Sequence, residues 1–102
     1  MGNSLSSTVK MADKRIAYKV DGEVQGVCFR DFTQQQAKKL GVKGFVQNAS
    51  DGTVKGEAQG SESVLTEFVQ HLNKGPRAAR VTGVEQSDIE ARQGERGFSV
   101  KY

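Results

Sequence analysis

An α+β sandwich built in the order β-α-β-β-α-β, with one further short strand, is the architecture this sequence predicts. Three observations predict it: strand-like alternation begins after Lys14, two amphipathic helical stripes flank the centre of the chain, and an Asp-Gly turn separates two strand patterns between them. Two β-α-β units joined by a hairpin give the split βαβ, ferredoxin-like plan. The expected sheet is antiparallel, of four to five strands, with both helices on one face and the other face more open.

Each element has its own warrant. Ile16, Tyr18 and Val20 alternate with polar or small residues and read as a half-buried strand. Phe29, Phe32, Gln36 or Ala37, and Leu40 recur at helical spacing, and Gly41 supplies the stop. The stretch from Val42 to Asn48 is a second strand, Asp51-Gly52 marks a tight hairpin, and Thr53 to Gly60 is the return strand. Ser61 is placed to cap a second helix, with Glu62 favourable to its dipole. Val64, Leu65, Phe68, Val69 and Leu72 form that helix's apolar stripe, which is core, and Gly75-Pro76 ends it. Ala79 to Ile89 reads as a fourth strand with imperfect alternation, Glu90 to Gly97 as a polar loop, and Phe98 to Tyr102 as a short last strand.

The Ser-rich, aperiodic residues 1–12 read as a flexible tail ahead of one domain over 13–102. The start Met1-Gly2-Asn3-Ser4-Leu5-Ser6 fits the N-myristoylation pattern, a short one that chance also produces. A chain of 102 residues with 35% hydrophobic and 26% charged residues is a globular profile that supports one modest core. No apolar run reaches membrane-span length, so no membrane association and a cytoplasmic location are expected. The net charge of +3 is compatible with an anionic ligand without identifying one.

Several chemistries are missing. His71 is the only histidine and lies beyond the helical stripe, so no Ser-His-Asp or Cys-His constellation forms. No HExxH or CxxC spacing supports a metal, and no P-loop is present. Cys28 stands alone, either a nucleophile or a small packed thiol.

What remains is the loop Gly22-Glu23-Val24-Gln25-Gly26-Val27-Cys28-Phe29-Arg30, which runs into a helix start. Its glycines permit a turn that aims consecutive N–H groups at one point, an anion nest backed by the helix dipole. Arg30 would otherwise oppose that dipole, and a dianion between the two removes the conflict. A plain strand–helix turn with an exposed arginine explains the same residues. Asn48, at the end of the second strand, could hold a water through a carboxamide that both donates and accepts, or could serve the turn alone.

These residues resemble the two motifs of the acylphosphatase family. Val20 to Arg30 is similar to the first throughout, and Gly44-Phe45-Val46-Gln47-Asn48 with Gly52, Val54 and Gly60 resembles the second. The resemblance runs from about Arg15 to the end and implies a metal-independent hydrolase of acyl phosphates that needs no cofactor. It puts the phosphate-binding arginine at Arg30, the water-positioning asparagine at Asn48, and the cradle of backbone amides at Gln25, Gly26, Val27, Cys28, Phe29 and Arg30. It also implies a monomer with a small-molecule substrate, inorganic phosphate or sulfate as competitor, and no nucleic-acid partner. Cys28 occurs at this position in vertebrate members without being the nucleophile. Ala49 stands where vertebrate members carry Thr, so a hydroxyl that could order the turn is lost. The alternative is a ferredoxin-like module that binds phosphate with low activity, or binds RNA: Lys43-Gly44-Phe45-Val46 echoes an RNA-recognition motif whose later aromatics are absent.

Overall fold

The computed structural model describes residues 13–25 and 27–102, so the tail over residues 1–12 and Gly26 lie outside the described residues. The elements are β1 (Lys14–Glu23), α1 (Val27–Leu40), β2 (Lys43–Asn48), β3 (Val54–Gly60), α2 (Glu62–Lys74), β4 (Arg80–Ile89) and β5 (Phe98–Lys101). They form one sheet in the order β4-β1-β3-β2-β5. The first four strands pair antiparallel, as expected of a ferredoxin-like α+β fold. The last strand adds a parallel edge beside β2, which makes the sheet mixed.

Alternation along β1 puts Ile16, Tyr18 and Val20 into the core, where they meet the stripe of α2. Phe68 sits at its centre, edge-on to Tyr18 at 5.6 Å and to Phe98 at 5.9 Å between centroids. Burying such a ring contributes about 2–3 kcal/mol, so this trio fastens α2 to both halves of the sheet. Burial pushes the Tyr18 phenol well above its ordinary pKa, and its hydroxyl donates to the Phe45 carbonyl oxygen at 2.8 Å. At the N-terminus of α2 the Ser61 side chain accepts from the Val64 amide at 3.3 Å, with Glu62 in the first turn.

The imperfect alternation of β4 has a local cause. Pairing with β1 shifts between Asp21 and Gly22, so Asp21 faces Gly83 while Gly22 faces Val81. One extra residue on β4 lets both Val81 and Val84 pack against the core. Gly22 adopts φ 127°, and a Cβ there would lie 2.0 Å from the Arg80 carbonyl oxygen. Only glycine fits, and the chain is turned at that point towards the loop that begins α1. Among the described residues, no helix is long and apolar enough to cross a membrane.

Candidate active site

One end of the sheet gathers the C-terminal ends of β1, β2 and β5 with the start of α1. Val24 and Phe29 are buried and anchor the loop from below. Val27 opens α1, so the amides of Val27, Cys28, Phe29 and Arg30 belong to its first turn and have no partner within the helix. That turn carries no acidic residue, unlike the first turn of α2. Cys28 is exposed. Thr33 is buried one turn further on, where its hydroxyl donates to the Phe29 carbonyl oxygen at 2.9 Å.

Arg30 is partly buried, and its Nε finds no hydrogen-bond partner among the described residues. Its guanidinium lies over the ring of Tyr102, 4.9 Å from the centroid. Because β5 runs parallel to β2 with Gln47 opposite Lys101, Tyr102 follows at the level of Asn48. Asn48 closes β2 opposite Val54 and is exposed. Arg30 and Asn48 thus come from separate elements to the same end of the sheet.

The hairpin beyond Asn48 is tied down from several sides. Ala49 donates its amide to the Thr53 carbonyl oxygen at 2.8 Å, and Gly52 to that of Ala49 at 3.3 Å. Gly52 adopts φ 92°, the left-handed region that a three-residue connection requires. Asp51 Oδ1 accepts from the Thr53 amide at 3.1 Å and from the Thr53 hydroxyl at 2.6 Å, while Lys19 lies 3.4 Å from Oδ2. The Thr53 hydrogen bonds, and secondarily Lys19, hold the Asp51 carboxyl at a pKa of about 2. The side chain of Gln25 reaches over from the loop to the carbonyl oxygens of Ala49 and Thr53.

Sequence reading found the loop, Arg30 and Asn48, but missed this bridge and the stacking of Tyr102. Neither has a local signal, because Gln25 meets partners 24 and 28 residues away. Chemically, the arrangement offers a guanidinium with a spare donor, a row of helix-start amides and a carboxamide, a set suited to an anion and a polar co-reactant. Among the described residues, no cluster of three or more His, Cys, Asp or Glu is placed to hold a metal ion.

Fold and site together define a ferredoxin-like domain with one end whose exposed and unpaired donors suit an anion. The acylphosphatase family model matches residues 16–100. An acylphosphatase of Rubrobacter xylanophilus is 44% identical over 88 residues, covering 86% of this chain and 80% of that protein. Acylphosphatase-2 of Xenopus tropicalis is 37% identical over 105 residues and covers all of both chains. The crystal structure of acylphosphatase from Bacillus subtilis superposes with a TM-score of 0.82 at 36% identity, over 87% of this chain and 99% of that one. The chain belongs to the acylphosphatase family. It is a hydrolase acting on acyl phosphates, small molecules in which a carboxyl group is joined to phosphate. The phosphate- or RNA-binding module is not the favoured reading.

Proposed function

We propose that Arg30 and the backbone amides from Gln25 to Arg30 hold the phosphoryl group of the substrate, while Asn48 orients the attacking water. The observation that carries this reading is the unpartnered Nε of Arg30. A buried donor of a charged group is costly to leave unpaired, and a phosphoryl oxygen supplies the acceptor in a geometry that suits the guanidinium fork. The dianion also gives the first turn of α1 the negative charge that its own side chains lack.

With the phosphoryl group held, the oxygen of the water bonds to phosphorus as the bond from phosphorus to the acyl oxygen breaks. The electron pair leaves with the carboxylate, and a proton from the water passes to a phosphoryl oxygen, giving carboxylate and dihydrogen phosphate. A carboxylate leaves readily, so positioning and charge stabilisation suffice without a leaving-group acid. On this reading no metal takes part, and inorganic phosphate or sulfate competes with substrate. The domain over residues 13–102 acts as a cytoplasmic monomer without nucleic acid.

Hydrolysis of benzoyl phosphate with EDTA present is the direct test. Arg30→Gln abolishes it while the circular dichroism spectrum is unchanged; full activity in that variant overturns the assignment. Asn48→Ala keeps inorganic phosphate binding and loses turnover, whereas equal loss of both removes Asn48 from the role of water holder.

A further inference from the structure

Among the described residues, Gln25 is the one loop side chain that hydrogen-bonds to the hairpin that carries Asn48. Its Nε2 donates to the Ala49 carbonyl oxygen at 2.6 Å and to the Thr53 carbonyl oxygen at 3.0 Å. Two carbonyl acceptors require the nitrogen end of the carboxamide, so its orientation is set by chemistry. Each of those oxygens already accepts one backbone amide, that of Gly52 for Ala49 and that of Ala49 for Thr53. The glutamine therefore takes the second lone pair of both carbonyls at the neck of the hairpin. Ala49 offers no side-chain hydroxyl to fix this turn, and Asp51 fixes it through Thr53 and the ion pair with Lys19.

We infer that Gln25 is a positioning residue for the hydrolysis, a clamp that sets the distance between the phosphate-holding loop and the Asn48 turn. The inference rests on the reading of Asn48 as the water holder. A loop that binds phosphate and a turn that holds water must keep a fixed separation for in-line attack, and a small misplacement costs rate steeply. The β2–β3 ladder ends at Asn48 opposite Val54, and the bond from the Ala49 amide to the Thr53 carbonyl oxygen closes the hairpin just beyond it. Among the described residues, the Gln25 bonds are the side-chain hydrogen bonds that join the loop to this hairpin.

Gln25→Glu tests the clamp, because a carboxylate cannot donate to either carbonyl and a protonated carboxyl can donate to one. At neutral pH we expect kcat for benzoyl phosphate about ten- to thirtyfold below wild type, with inorganic phosphate bound within about threefold of wild type. As pH falls towards the carboxyl's pKa, the ratio of wild-type to variant kcat shrinks. Gln25→Leu, which never donates, keeps its deficit at every pH. A ratio for Gln25→Glu that stays flat with pH, or a loss of phosphate binding as large as the loss of kcat, overturns the clamp. If Asn48→Ala hydrolyses normally, the underlying reading of Asn48 fails instead. If Asn48→Ala is inactive and Gln25→Glu shows no pH-dependent recovery, only the clamp fails. Thermal unfolding of both Gln25 variants checks that they fold.

Discussion

Two arginines in this molecule have opposite surroundings. Arg15 is buried on β1 with each nitrogen of its fork engaged: Nε meets Glu57 at 2.8 Å, Nη1 meets Gln59 at 3.0 Å and Glu95 at 2.8 Å, and Nη2 meets Glu95 at 3.3 Å. Glu95 first, then Glu57, raises its pKa against the opposing effect of burial. Gln59 extends the cluster by exchanging bonds with the backbone of Arg92, so the β4–β5 loop is strapped to the sheet. Arg30, by contrast, has an aromatic ring against it and a buried Nε that finds no acceptor among the described residues. A buried guanidinium with each of its nitrogens already bonded to side chains has little left to offer a ligand and holds the fold together. An unsaturated one stores recognition capacity at a cost in stability that substrate relieves.

The same substitution at both positions puts that contrast to a test. Lysine keeps the charge and loses the planar fork. Arg30→Lys is expected to lower kcat/KM by about a hundredfold, the scale of losing one well-aimed donor to developing charge, with little change in melting temperature. Arg15→Lys is expected to cost about 2 kcal/mol of stability and about 10 °C in melting temperature, with kcat/KM within about twofold of wild type. Reversed signatures would mean that saturation does not separate structural from functional arginines here.

How legible the two sites were in the sequence follows from the range of their contacts. The loop and Asn48 announce themselves locally, through glycines before a helix start and a carboxamide before a turn. Arg15 gives no local signal: on β1 it occupies the face opposite Ile16 and Tyr18, where a polar residue is expected to meet water. Its main partner lies 80 residues away, in a stretch that reads only as a polar loop. The parallel pairing of β5 was equally hidden, since a four-residue strand carries no mark of direction. The hairpin and both helices were legible because their determinants (Gly52, Ser61 and the Leu65–Phe68–Leu72 stripe) act within a few residues.

Tyr102 sharpens the description of Arg30. The residue is 94% exposed, so what its ring contributes is a flat face against the guanidinium and little core burial. Tyr102→Leu removes the cation–π contact, worth about 1 kcal/mol, and is expected to raise KM for benzoyl phosphate about fivefold with kcat nearly unchanged. Tyr102→Phe keeps the ring face and stays close to wild type. If kcat falls and KM holds in Tyr102→Leu, the ring orders the reacting geometry and does more than support binding.

The smallest effect is expected at Asp51, on the outer side of the hairpin that Gln25 clamps from within. Its carboxylate accepts two hydrogen bonds from Thr53 and sits beside Lys19, which together lower its pKa to about 2. A carboxyl with a folded-state pKa below its ordinary value contributes stability above that ordinary value and loses it as pH falls through the folded one. The gap in melting temperature between wild type and Asp51→Asn should therefore be constant at neutral pH, begin to shrink near the ordinary value of 3.8 and vanish near 2. Added salt should trim only the part due to Lys19, because the bonds from Thr53 survive screening. Hydrolysis should change less than in the Gln25 variants, since the bonds that Asp51 makes brace the turn through Thr53 and Lys19 and, among the described residues, none runs to the loop or to Asn48. A gap that persists below pH 2 would mean that the neutral side chain, and not the carboxylate, sets the shape of the turn.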